Sequence, residues 1–135
     1  MGGTINIVLA VDVIAALSGQ TQEQSVLMMD DGPRTAENPG TPHLITYCWP
    51  GWQLNWAIRQ IDLQTPAAIK SIRFQSLGGP LMTAADASTL VWSGIVPACL
   101  IPGELYRYQI AVEMARGINS MLFINTPALV VPLAV

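Results

Sequence analysis

The sequence predicts an all-β fold: an antiparallel β-sandwich of the jelly-roll or immunoglobulin-like kind, with about eight strands and one or two short helical turns. Three observations carry that reading. Short apolar–polar alternations with a period of two recur along the chain. Glycine and proline, 11 and 10 of the 135 residues, fall between those runs, and no long stretch repeats with a helical period. Segments with one apolar face, cut short by turn formers, must pair into sheets, and two such sheets bury their faces by packing together.

Residues 4–13 set Ile5, Ile7, Leu9, Val11 and Val13 on one side and Asn6, Val8, Ala10 and Asp12 on the other. With Val8 and Ala10 on the second side, this strand is expected to be largely covered on both faces. A helical turn over Ile14 to Leu17 follows and ends at Gly19. Ser25 to Met29 makes the second strand, closed by Asp30-Asp31-Gly32-Pro33, whose aspartates are suited to bonding back to turn amides. Residues 34–42 have no periodicity and form a loop. Leu44 to Cys48 is the third strand, and Pro50-Gly51 turns the chain into Gln53 to Ile61. There Trp52, Leu54, Trp56 and Ile58 alternate with Gln53, Asn55, Ala57 and Arg59.

Ala67 to Phe74 alternates again and is broken by Gly78-Gly79-Pro80. Thr83 to Ser88 supplies the second helical turn, and Thr89 to Trp92 a short strand. After Pro97, Pro102 and Gly103 comes the cleanest alternation, Glu104 to Ala115. Its Tyr106, Tyr108, Ile110, Val112 and Met114 face one way, and Arg107, Gln109 and Glu113 the other. Gly117 bends the chain into Met121 to Asn125. Leu129 to Val135 is expected as an edge strand, because Pro127 and Pro132 have no N–H for a ladder.

This length suits one domain over 1–135 with one core. Hydrophobic residues make up 51% and charged residues 11%, less than half of the roughly 25% charged content usual for soluble domains. The surface must then be covered by Gln, Asn, Ser, Thr and Gly, or by another subunit. A formal charge of −3, with Lys70 and five arginines as the cations, argues against nucleic acid as a partner. No apolar run reaches the roughly 18 residues of a spanning helix, so no membrane partner is expected, and the N-terminus, without a basic region ahead of its apolar stretch, reads as cytoplasmic. Cys48 and Cys99 allow at most one disulfide, and two reduced, buried thiols suit a chain of this size better.

Chemistry finds little to converge on. The single histidine, His43, is the one side chain whose ordinary pKa lies near neutrality, and Cys48 lies five residues beyond it. In an extended strand that odd offset points the two side chains to opposite faces. Two distant cysteines and one histidine do not make a closed zinc site, and Asp30-Asp31-Gly32 lacks the spacing of a helix-loop-helix calcium loop. Gly78-Gly79-Pro80 lacks the lysine and the helix of a phosphate-binding loop. The expectation is therefore no catalytic residue, no metal and no cofactor. Of the aromatic cluster Tyr47, Trp49, Trp52 and Trp56, the rings of Trp52 and Trp56 share strand parity and point to the core, while Trp49 lies beside a turn. Trp49, His43, Asp30 and Asp31 are the candidate ligand-binding residues.

Three stretches together resemble the bacterial AidA/PixA inclusion body protein family. They are the opening Ile5 to Val13, the central Gly51 to Gln75 with Asn55-Trp56 and Ile61-Asp62-Leu63-Gln64-Thr65-Pro66, and the closing Tyr106-Arg107-Tyr108 through Asn119-Ser120, Thr126-Pro127 and Ala128-Leu129. The resemblance implies an abundant intracellular bacterial protein without enzymatic activity that packs or stores itself in cytoplasmic inclusion bodies, with a host-interaction role as a variant. The expected function is thus a noncatalytic, self-associating protein whose partner is its own copy. The alternative is a lectin-like module that binds a glycan or small ligand through rim aromatics.

Overall fold

The computed structural model describes residues 3–12, 25–60, 67–74, 79–80, 91–98, 100–114 and 121–133. These hold ten strands: β1 (Thr4–Val11), β2 (Val26–Asp30), β3 (Ile45–Tyr47), β4 (Gln53–Gln60), β5 (Ala67–Phe74), β6 (Gly79–Pro80), β7 (Val91–Ile95), β8 (Leu105–Met114), β9 (Met121–Ile124) and β10 (Ala128–Val130). Both expected helical turns, and Cys99, lie outside the described residues. Among the described residues no helix is long and apolar enough to cross a membrane.

The strands form two sheets. One has the order β2-β1-β4-β7; the other has the order β3-β10-β8-β5-β6, with β9 also paired to β8. Residues 108–114 of β8 pair with β5 along one edge, while β9 and then β10 follow each other along the opposite edge. Pro127 interrupts what would otherwise be one continuous strand there, yet its carbonyl still accepts a hydrogen bond from the Tyr108 N–H at 3.1 Å.

The core lies between the sheets, and the period-two pattern fills it. Ile5, Ile7, Leu9 and Val11 of β1, Leu54, Trp56 and Ile58 of β4, and Tyr108, Ile110 and Val112 of β8 are all buried. Trp56 and Tyr108 are fully buried, and the indole Nε1–H of the first donates to the hydroxyl of the second at 3.1 Å, joining the sheets through the core. Their rings meet edge to face, 5.5 Å apart at 72°, the orientation that aligns ring edge with ring face. Burial pushes the Tyr108 phenol well above its ordinary value. A second polar tie is made by Thr46 of β3, fully buried, whose hydroxyl donates to the Asp30 carboxylate at the end of β2 at 2.8 Å.

The structure differs from the sequence reading in four places. The sheets are mixed, because β1 pairs with β4 and β10 with β3 in parallel. Hydrophobic alternation is the same for either direction of pairing, so it carries no signal for this. A tenth, two-residue strand forms where a break was expected, since Gly79 and Pro80 return to pair with Phe74 and Arg73. The final apolar run is not an edge: Ala128–Val130 sit between β3 and β8, and the ladder stops just before Pro132. Finally, β1 is covered on one face only. Thr4, Asn6 and Val8 are exposed on the other, Val8 at 41%.

Candidate functional site

The four candidate residues are distributed over the fold and three of them hold it together. Asp30 Oδ1 accepts the Gly32 N–H at 3.0 Å, closing the expected aspartate turn, and its Oδ2 accepts from Thr46. Asp31 accepts the backbone N–H of Asn6 at 2.7 Å and the Asn6 side-chain amide at 2.9 Å, and these bonds hold its carboxyl below the ordinary value. Trp49, half-buried, stacks at a tilt on Trp52, 4.9 Å away, and packs against the core. His43 is half-buried, and its N–H donates to the Thr41 hydroxyl at 3.1 Å. Cys48 is a free, fully buried thiol whose pKa burial pushes up to about 12. His43 lies in a turn ahead of β3, outside the strand, whereas Cys48 follows β3 and is buried. Among the described residues no three His, Cys, Asp or Glu side chains come together.

Two surface features emerge only once the strands are paired. The first is the outer face of the four-stranded sheet, where the pairing register lines side chains into rows across the strands. Asn6, Asn55 and Ser93 stand opposite one another. They are joined in a hydrogen-bonded ladder: Ser93 Oγ donates to Asn55 Oδ1 at 2.7 Å, Asn55 Nδ2 to Asn6 Oδ1 at 3.1 Å, and Asn6 Nδ2 to Asp31 Oδ2. Gln53 Nε2 adds a further bond to Asn55 Oδ1 at 2.9 Å. The adjoining row is apolar throughout: Met29, Val8, Ala57 and Val91. Met29, Val8 and Val91 are 57, 41 and 49% exposed, and Leu27, opposite Ala10 in the next row, is 47% exposed. The signal was present in the sequence, because Val8, Leu27 and Met29 are large apolar residues at off-phase positions of their strands. Assigning them to one face needed the register.

The second feature is an open groove of about 380 Å³ between the 31–40 loop, β3, the turn before β8 and the residues after β10. Its polar wall is Arg34, Glu37 and Tyr47; its apolar part is Leu105, Val130, Val131, Pro132 and Leu133. The Arg34 guanidinium carbon sits over the Tyr47 ring, 4.1 Å from its centre. The Tyr47 hydroxyl donates to Glu37, and that bond raises the Tyr47 phenol pKa. None of the four candidate residues lines this groove. Arg34 and Glu37 fall in a loop without periodicity, which offers a sequence reading nothing to work with.

The profile of a family described as "Domain of unknown function (DUF8788)" matches residues 3–120. Among curated proteins none matches. A solved structure titled as that of an inclusion body protein (PixA) from Burkholderia cenocepacia J2315 is similar at a TM-score of 0.58. The match covers 96% of this chain and 92% of that one at 11% sequence identity, so the likeness is one of fold.

Proposed function

This chain belongs to the DUF8788 family of domains of unknown function, and from that premise we propose that it is a noncatalytic, intracellular bacterial protein whose activity is to associate with further copies of itself. The observation that carries the reading is the exposed apolar row Met29–Val8–Ala57–Val91 on the outer face of a regular sheet. Water in contact with a contiguous apolar strip is costly, and single-chain proteins rarely leave one bare. A second copy is the natural cover. Two such faces can stack as sheets do, about 10 Å apart, with the apolar row of each against that of the other. The low charge content of 11% supports this, because few charges need to be removed from water on contact.

The size of the face sets the strength. Four strands about 4.8 Å apart, two of eight residues and two of five, cover roughly 400 Å² per copy, or about 800 Å² in a pair. That lies at the weak end of specific interfaces. Association is thus concentration-dependent, which suits a protein that accumulates, and the fold shared with an inclusion body protein supports the same role.

The buried and structural commitments of Asp30, Asp31 and Cys48 support the noncatalytic part, since a thiol with a pKa near 12 is almost entirely protonated at neutral pH. Sedimentation across a range of concentrations tests the proposal. The expected result is a mass-average that climbs with concentration in the native chain and stays at one copy in Val8→Lys. A native chain that remains monomeric at millimolar concentration overturns it.

A further inference from the structure

We propose that the groove beside Tyr47 binds a small amphipathic carboxylate, of the class of medium-chain aliphatic acids. Its volume of about 380 Å³ falls within the roughly 300–1,000 Å³ of small-molecule sites. The apolar part offers Leu105 and Leu133, 48 and 68% exposed, beside Val130, Val131 and Pro132. This is the surface a hydrocarbon tail needs. Arg34 is the one cation among the described lining residues. Its guanidinium carbon sits over the Tyr47 ring, and an arginine has five N–H donors, so contact with the ring leaves donors with which to recognise a carboxylate.

The polar wall is fixed before any ligand arrives. Glu37 exchanges backbone hydrogen bonds with Ile45, N to O at 3.1 and 3.0 Å, and its carboxylate holds the Tyr47 hydroxyl. Tyr47 in turn supports Arg34. A preset wall lowers the ordering cost of binding. The Glu37 charge also selects: it opposes a second negative charge, so a monoanion suits the groove better than phosphate. Gly103 keeps the cleft open. At φ +88° it has no side chain, and a Cβ there would come within 3.1 Å of Leu133 Cδ2.

The groove lies away from the apolar row of the four-stranded sheet, so this inference stands apart from self-association. Octanoate added to the full chain, followed by methyl NMR of Leu105, Val130, Val131 and Leu133, tests it. Saturable shifts in that group are expected, with octanol and inorganic phosphate weaker by about tenfold or more, given the role of a charged hydrogen bond. Arg34→Gln, an exposed substitution that leaves the remaining spectrum in place, is expected to weaken octanoate about tenfold and leave octanol unchanged. Leu105→Asp is expected to weaken both. Absence of shifts, octanol binding as tightly as octanoate, phosphate shifting the same methyls with equal affinity, or an Arg34→Gln chain that binds octanoate normally would each overturn it.

Discussion

Asp30 and Asp31 carry the same side chain one position apart, and the environment divides their roles. Asp30 accepts from the fully buried Thr46, so its removal strands a hydroxyl in the core and frees the Gly32 amide. An unsatisfied buried group costs about 1–3 kcal/mol, and Asp30→Ala is expected to fall in that range by urea unfolding. Asp31 is exposed and bonds to Asn6 at the surface, so Asp31→Ala is expected to cost under about 1 kcal/mol. Equal losses would mean that the tie between β2 and β3 is not what holds this corner. Trp56 combines a fully buried ring with the bond to Tyr108, and Trp56→Ala should cost about 3–5 kcal/mol. Cys48 makes stability fall in alkali. Unfolded, its thiol ionises above the ordinary 9.0; folded, it resists to about 12. The native state therefore holds the extra proton across that window, and stability present below pH 9 is lost as pH rises through it, by at most about 1.4 kcal/mol per pH unit. Tyr108 acts in the same direction once the pH passes its ordinary 10.0. Between pH 9 and 10 the decline belongs chiefly to the thiol, so Cys48→Val should flatten the urea midpoint there.

At the scale of elements, turns can be separated into those that need only backbone freedom and those that also need space. Gly40 and Gly103 both have positive φ, +81° and +88°, but a Cβ at Gly40 meets nothing within 4 Å while one at Gly103 meets Leu133. Gly40→Ala is expected to cost about 1 kcal/mol from backbone strain alone, and Gly103→Ala somewhat more, because the exposed Leu133 side chain must also give way. Thermal unfolding of the two variants checks the order. The same distinction explains what was readable in advance. The strands Thr4–Val11, Gln53–Gln60, Ala67–Phe74 and Leu105–Met114 follow from alternation, because burial of one face imposes a period of two on the residues themselves. The inward Trp56 and the outward Arg107, whose Nη1 donates to the Thr126 carbonyl, follow from the same parity. Pairing direction does not follow, since β1 and β4 are joined in parallel by residues about 49 positions apart that carry no mark of one another. The apolar row was hidden for that reason. Val8 reads as a second covered face until Met29 and Val91 are found in line with it. The final apolar run misled in the other direction: Pro132 suggests an edge, but it lies beyond the three residues that pair on both sides.

For the whole molecule, the proposed association of copies would be governed by the balance between an apolar face and a small net charge. Each copy carries a formal −3 at pH 7, and a sequence pI near 4.8 means that this charge vanishes on mild acidification. Repulsion between like-charged copies weakens toward that pH, while the row of Met29, Val8, Ala57 and Val91 holds no titrating group and keeps its apolar character. Association should therefore strengthen as pH falls from 7 toward 5, a window above that in which Asp31, its pKa lowered by Asn6, loses its ionised form, and be reinforced by sulfate, which favours burial of apolar surface. Warming from the cold should strengthen it as well, because the hydrophobic driving force near room temperature is entropic. Light scattering at fixed protein concentration separates this from an ionic contact: an interface of paired charges would weaken with added salt, whereas an apolar one holds or tightens. Val8→Lys places a charge in the centre of the row and should suppress the response to pH, sulfate and temperature together. Loss of the response to one of these alone would assign the contact to a different face.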